Sequence, residues 1–243
     1  MKKTLLLVFI ATLLISATSL ADIIYAIDSS RTELYNGTDN MSDTVRSDSS
    51  KLSVRGDYKA NKSWIEFDVS GIDIGSLTSA MLRITLWENK DSSCLLSAVN
   101  DDITSGYVAL DGVVTWNTAP GNITTSDGIT PDNGSFSDTD LQKNLDPAMT
   151  TLVGTVDYSG GLEGNQYFMD VLPILQADTD GYVLFALHGA GGYTNFATYE
   201  ATSTRNDVST DPAYVRPALV VVPEPMTMVL LGLGGLVSLR KRR

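Results

Sequence analysis

The sequence predicts an all-β sandwich with one short helix, and three observations carry that prediction. Residues 62–70 (KSWIEFDVS) and 79–87 (SAMLRITLW) alternate apolar and polar side chains, the period-two pattern of strands with one face on a core and the other in water. Turn-forming residues recur along the chain, with 20 Gly and many Ser, Thr, Asn and Asp. Helix-starting chemistry stands out at one place, residues 170–177. With 243 residues, 43% of them hydrophobic, the chain can build a sizeable core, and a β-sandwich of about 200 residues commonly forms one domain.

In chain order, residues 23–27 read as the first strand and residues 36–50 as a polar loop rich in Asp and Ser. Residues 51–55 alternate, with Leu52 and Val54 turned inward. In the pair around which the fold is organised, Ile65, Phe67 and Val69 share one face, while Trp64, Glu66 and Asp68 share the other. Ala80, Leu82, Ile84 and Leu86 likewise oppose Met81, Arg83, Thr85 and Trp87. Each strand thus puts a Trp on its polar face. The connector, with Gly71 and Gly75, allows the two strands either to pair or to lie in facing sheets. Residues 94–99 form a short strand, and residues 117–146 read as loops and short strands. Asp170 is the expected N-cap of the helix over residues 171–177, with Pro173 in the first turn where a missing N–H costs little. Residues 178–181 (DTDG) end it, and residues 182–187, 194–199 and 214–222 are the late strands.

The two ends differ from the body. Met1-Lys2-Lys3, an apolar run over residues 4–15 and small residues up to Ala21 are the parts of a signal peptide that signal peptidase removes after Ala21. At the other end Pro223-Glu224-Pro225 precedes an apolar run over residues 226–239 and a basic cluster over residues 240–243. Fourteen apolar residues span about 21 Å as a helix, short of the roughly 30 Å hydrocarbon core. The segment is therefore expected to enter the membrane transiently, with its basic end cytoplasmic and Pro-Glu-Pro extended outside. The organisation is a signal peptide over residues 1–21, one domain over residues 22–222 and a tail over residues 223–243.

Formal net charge is -12, and removing the six terminal Lys and Arg from 17 leaves 11 basic residues against 29 acidic ones, or -18. Such a body repels nucleic acid. Cys94 is the only cysteine, so an intramolecular disulfide is excluded, and its apolar surroundings suit a small buried residue. His188 is also alone, which removes His-rich zinc sites.

Two resemblances follow from these residues. Phe67-Asp68-Val69-Ser70, the turn, and Ser79-Ala80-Met81-Leu82-Arg83-Ile84-Thr85-Leu86 resemble the DNRLRE-type domain, a jelly roll related to carbohydrate-binding modules. Val114-Thr115-Trp116-Asn117 with Pro120, then Phe168-Met169-Asp170-Val171, Asn195-Phe196-Ala197-Thr198-Tyr199-Glu200 and Arg216-Pro217-Ala218-Leu219-Val220-Val221, continue it in order. The tail resembles the PEP-CTERM sorting signal, processed by an exosortase in Gram-negative bacteria that make extracellular polysaccharide. Together they imply an exported jelly-roll β-sandwich placed at the cell envelope or in extracellular matrix, binding polysaccharide without catalysis. A structural matrix protein without glycan specificity is the alternative, and a polysaccharide hydrolase or lyase a more remote one.

The candidate site follows from strand parity. A large aromatic on a water-facing sheet can stack on the C–H face of a pyranose, so Trp64 and Trp87 form the expected sugar platform, with Glu66, Asp68 and Arg83 bonding to hydroxyls at its edge. Glu66 and Asp68 also have the look of a hydrolytic carboxylate pair, but two apart on a strand is a spacing common to any solvated face. Trp116 is assigned to packing under the long loop. An EF-hand register on residues 178–181 fails, placing Gln176 first and Leu187 last. One structural Ca2+, as jelly-roll modules often hold, would instead sit in the Asp-rich loops at residues 39–48 or 138–140, its ligands unassigned.

Overall fold

The computed structural model describes residues 21–33, 41, 43–45, 51–56, 60–89, 93–104, 106–110, 112–123, 145–189 and 192–224. Its strands are β1 (Asp22–Tyr25), β2 (Asp28–Glu33), β3 (Lys51–Arg55), β4 (Asn61–Asp68), β5 (Leu77–Asn89), β6 (Ser93–Val99), β7 (Thr150–Asp157), β8 (Gln166–Asp170), β9 (Tyr182–His188), β10 (Tyr193–Ala197) and β11 (Ala218–Pro223). Two short helices, α1 (Leu172–Ala177) and α2 (Pro212–Val215), and a 3-10 turn at Ile74–Ser76 interrupt them.

The pairing is nested. β1 runs antiparallel to β11, β3 to β10, β4 to β9, β5 to β8 and β6 to β7. The first half of the chain thus lies along the second as one long ribbon whose closed end is β6 and β7. Winding brings β5 against β11 and β10, and β6 against β9, which is how a jelly roll makes two sheets from a single ribbon. β4 and β5 do not pair with each other: β4 lies between β2 and β9, whereas β5 joins β11 and β8 along its first part and β10 near its end. The two strands are instead joined through β10 and β3 in one curled sheet whose inner face holds both apolar rows.

Alternation places the core as the sequence implies. Leu52, Val54, Ile65, Phe67, Val69, Ala80, Leu82, Ile84 and Leu86 are buried in one apolar cluster with Cys94, Phe185 and Phe196. Phe67 meets Phe185 edge to face at 6.1 Å between centroids, a geometry aromatic quadrupoles favour. At the end of β4 the chain needs a residue with no side chain. Gly181 has φ +87°, and a Cβ there would fall 2.8 Å from Cβ of Ser70. Its carbonyl also accepts the Val69 N–H at 2.8 Å, fixing β9 against the turn after β4.

Several elements differ from the sequence reading. β2 (DSSRTE) and β7 (TTLVGTVD) are additional strands; β2 has no apolar face to betray it and forms because β4 offers it an edge. α1 begins one residue later than expected, with Val171 as N-cap, although Asp170 Oδ1 still accepts the Leu172 N–H at 3.1 Å. Residues 214 and 215 belong to α2, not to the last strand. Asp211 caps α2 through the Ala213 N–H, with Pro212 at its start, so one expected helix becomes two. Trp116 is buried, as its assignment to packing under the long loop requires. The signal peptide's residues 1–20, most of residues 36–50, residues 124–144 and the tail from residue 225 lie outside the described residues.

Candidate functional site

The outer face of β4 and its neighbours carries most of the expected site. Cross-strand pairing sets Glu66 between Asp28 and Leu184, and Trp64 between Ser30 and Ala186. Residues 106–110 and 112–122 lie over these rows. The N–H groups of Gly106, Val108 and Leu110 donate in turn to Asp180 Oδ2 at 2.6 Å, Glu66 Oε1 at 2.7 Å and Asp28 Oδ2 at 2.9 Å. Alternate N–H groups of the segment thus meet three carboxylates, two rising from β2 and β4 and the third from the turn before β9, which hold it down. Further along, Trp64 Nε1 donates to the Pro120 carbonyl at 3.0 Å and packs with Val99, Leu110, Val114 and Leu145. Lys62 Nζ donates to Asn122 Oδ1 at 2.6 Å and lies 4.4 Å above the Trp116 ring, while Asn122 donates to the Trp116 carbonyl.

Burial governs the chemistry here. It pushes the Lys62 amine down to about 7. It raises the Glu66 carboxyl to about 7, helped by the nearby charges of Asp28 and Asp180 and opposed by the Val108 N–H. Glu66 Oε2 is buried without a hydrogen-bond partner. His188, at the end of β9, is buried, its Nε2 2.9 Å from Ser97 Oγ.

The outer face of β5 is covered in the same way by residues 201–217. Arg83 donates to the carbonyls of Ala213 and Arg216 at 2.6 and 3.3 Å, and Thr85 Oγ1 to that of Tyr214 at 3.1 Å. Trp87 packs, half-buried, against Ala197, Ala201 and Val215.

Two expectations are corrected by these contacts. Strand parity correctly puts Trp64 and Trp87 off the main core, but neither face is open water: Trp64 is 0% exposed, Glu66 1% and Arg83 7%. The two indoles also sit in separate apolar clusters, so they do not build one platform. Alternation reports which side a residue takes, not what later chain lies over it. Asp68 and Trp87 are only part-buried, and Ser70 N–H and Oγ hold the Asp68 carboxylate at 2.9 and 2.6 Å and lower its pKa.

Beside Asp68 lies a surface feature that the sequence reading missed. Tyr107 is 53% exposed, and its ring packs on that of Tyr182 at 6.2 Å and 59°. Tyr182 is the cross-strand partner of Asp68. Asp180 positions both rings, since its two oxygens accept the N–H of Gly106, next to Tyr107, and of Tyr182 itself. Tyr107 is fixed further by its hydroxyl, which donates to Asp28 at 2.9 Å. The adjoining turn leads to a shallow cleft of about 460 Å³ lined by Asn100, Asp101, Asp102, Thr151 and Thr179. The signal available in the sequence was the position of Tyr182, first in its strand and on the outer face opposite Val183.

Asp178 and Asp180 are committed to backbone N–H groups of Gly181 and Tyr182, and Asp101 to Thr179. Among the described residues no three His, Cys, Asp or Glu side chains group as metal ligands. The loops at residues 39–48 and 138–140 are mostly or wholly outside the described residues.

The sorting motif begins inside the fold. Pro223 ends β11 as the partner of Leu77, and the Glu224 N–H donates to the Ser76 carbonyl at 2.6 Å. Pro225 lies outside the described residues. Residues 221–243 match the PEP-CTERM protein-sorting motif. No curated protein matches the chain in sequence. The motif marks a protein exported and directed to the cell surface in Gram-negative-type bacteria, with exosortase as its processing enzyme.

Proposed function

We propose that this exported jelly roll binds a polysaccharide chain at the cell envelope or in the matrix, without cleaving it, and that its contact surface is the tyrosine corner. The observation that carries the reading is the ring pair of exposed Tyr107 and part-buried Tyr182, pinned by one carboxylate and flanked by Asp68. Aromatic faces accept the C–H face of a sugar ring, and carboxylates at the edge accept its hydroxyl protons. The neighbouring open cleft, lined by Asn100, Asp101, Asp102, Thr151 and Thr179 together with apolar Val99, Ile174 and Ala177, would extend the surface. Assignment of the domain to the DNRLRE type belongs to this proposal and is supported by the ordered strand motifs and the wound ribbon. The non-catalytic reading is supported by Glu66, whose carboxyl is covered by Val108 and so is not placed to act with Asp68 on a glycosidic bond.

A structural surface protein is the second reading, favoured by β7. That strand pairs on one side with β6 and exposes 61% of Leu152, an edge that a second copy could extend. Retention of the exported protein on insoluble polysaccharides, together with a glycan array, separates the two. Selective retention supports the proposal, while failure to bind any glycan alongside self-association supports the structural reading. Sugar release from the same polysaccharides would point to a hydrolase or lyase.

A further inference from the structure

A second aromatic surface lies on the other side of the molecule. The inner rows of β4 and β5 meet in one core, so their outer faces look in opposite directions. The tyrosine corner belongs to the β4 side. On the β5 side Tyr214 of α2 is 42% exposed, and its main chain is fixed. Its N–H donates to the Asp211 carbonyl, and its own carbonyl accepts Thr85 Oγ1 at 3.1 Å and Gln166 Nε2 at 2.8 Å. Tyr214 lines an open cleft of about 350 Å³ together with Val208, which is 63% exposed. Gly164 lines it too, and a Cβ there, at φ +85°, would fall 3.1 Å from Val208 Cγ1, so only a bare backbone lets the two segments sit this close. Those segments are tied to each other and to β5: the Asn206 N–H and Nδ2 donate to Glu163, and Arg205 pairs with Glu88. The walls of the cleft are thus held in place before anything binds. Its polar groups are spare. Among the described residues the side chains of Asn165, Ser209 and Tyr214 make no hydrogen bond, and Asp211 uses only Oδ1, for the Ala213 N–H at 2.9 Å.

We propose that this cleft is a second sugar contact, taking an uncharged sugar unit, and that one molecule thereby bridges two polysaccharide chains. An aromatic ring and an aliphatic wall offer apolar surface to the C–H faces of a pyranose, and the spare amide, hydroxyl and carboxylate groups at the rim match its hydroxyls. Charge sets the class of sugar. Glu163 and Asp211 line the cleft, and none of the described residues lining it is Lys or Arg, so a uronate or sulfated unit would be repelled. Because the two contacts look away from a common core, a single stiff chain cannot meet both, and the second contact takes a second chain. Bridging then needs no pairing of protein copies, which sets it apart from association through the β7 edge. The inference rests on the glycan-binding reading of the tyrosine corner.

Two measurements on the exported protein test it, with dextran, galactomannan and xyloglucan and their oligosaccharides as probes. Calorimetry with the oligosaccharides counts the sites, and turbidity with the soluble polysaccharides reports bridging. Wild type is expected to show two sites and to cloud the solution. Tyr214→Ala should weaken the cleft contact by about tenfold or more and abolish the turbidity, while Tyr214→Phe, which keeps the ring, retains both. Val208→Arg fills the cleft from an exposed position with Tyr214 left in place, and should reproduce the loss. The double variant Tyr107→Ala with Tyr182→Ala should keep the cleft site and lose bridging. A single wild-type site that this double variant abolishes, or turbidity that survives both Tyr214→Ala and Val208→Arg, would overturn the second contact and leave the tyrosine corner standing. Absence of wild-type binding to every probe would remove carbohydrate recognition and the second contact with it.

Discussion

Glu66→Gln tests how the face beneath residues 106–110 is held. The substitution preserves volume and an oxygen to accept the Val108 N–H, and it removes a buried charge. In the folded protein burial raises this carboxyl from 4.5 to about 7, with Asp28 and Asp180 adding to the effect. The folded state thus keeps a proton that the unfolded chain releases. The sign follows: stabilisation from this group is complete below about pH 4.5 and is lost as pH rises to about 7. At 1.36 kcal/mol per pH unit the loss is on the order of 3 kcal/mol. Glu66→Gln should therefore match wild type near pH 4 and exceed it by on the order of 3 kcal/mol at pH 8. Urea unfolding followed by Trp fluorescence at pH 4, 6 and 8 measures the gap. A gap that does not change with pH, or a variant weaker than wild type at pH 8, would refute the reasoning.

The same unfolding experiment with Lys62→Met, carried from pH 7 to 10.5, should show the opposite limb. Because burial lowers this amine from 10.5 to about 7, wild type gains stability relative to the variant as pH rises from 7 towards 10.5, by on the order of 4 kcal/mol; parallel curves would mean the amine is solvated. Trp64→Ala should cost about 3 to 5 kcal/mol in chemical unfolding, comparable to Phe67→Ala, since both side chains are fully buried; a loss below 1 kcal/mol would place Trp64 at an open surface. Gly181→Ala should cost roughly 1 to 3 kcal/mol through strain and the approach to Ser70. An unchanged melting temperature would show that the turn relaxes freely.

The strands with clean alternation were legible because burial on one face leaves a mark on every second residue. Ile65 to Val69 and Ala80 to Leu86 show this, and their core assignments hold. β2 was not legible, since an edge strand of Asp, Ser, Arg, Thr and Glu draws its order from β4. α2 was announced locally by Asp211-Pro212, a cap and first-turn pair that the apolar run after it obscured. The candidate site failed for a different reason. Trp64, Glu66 and Arg83 lie on the predicted faces, but their cover comes from segments 40 to 130 residues away in sequence, at Val108, Pro120 and Ala213. Local patterning holds no information about such long-range contacts. Tyr107 and Tyr182 are likewise brought together by long-range contacts of that same cover, the Asp180 carboxylate among them.

The proposed binding surface is tested most directly by calorimetric titration of the exported protein with a polysaccharide that retains it, comparing wild type, Tyr107→Ala, Tyr182→Ala and Phe168→Ala. Phe168 is 48% exposed on β8, away from the tyrosine corner, and serves as the surface control. Loss of a stacking ring worth on the order of 1 kcal/mol beyond burial should weaken binding about tenfold in each tyrosine variant, with Phe168→Ala unchanged. Equal affinity in all four proteins would contradict the tyrosine corner as the site, and absence of binding by wild type to every glycan tried would contradict carbohydrate recognition.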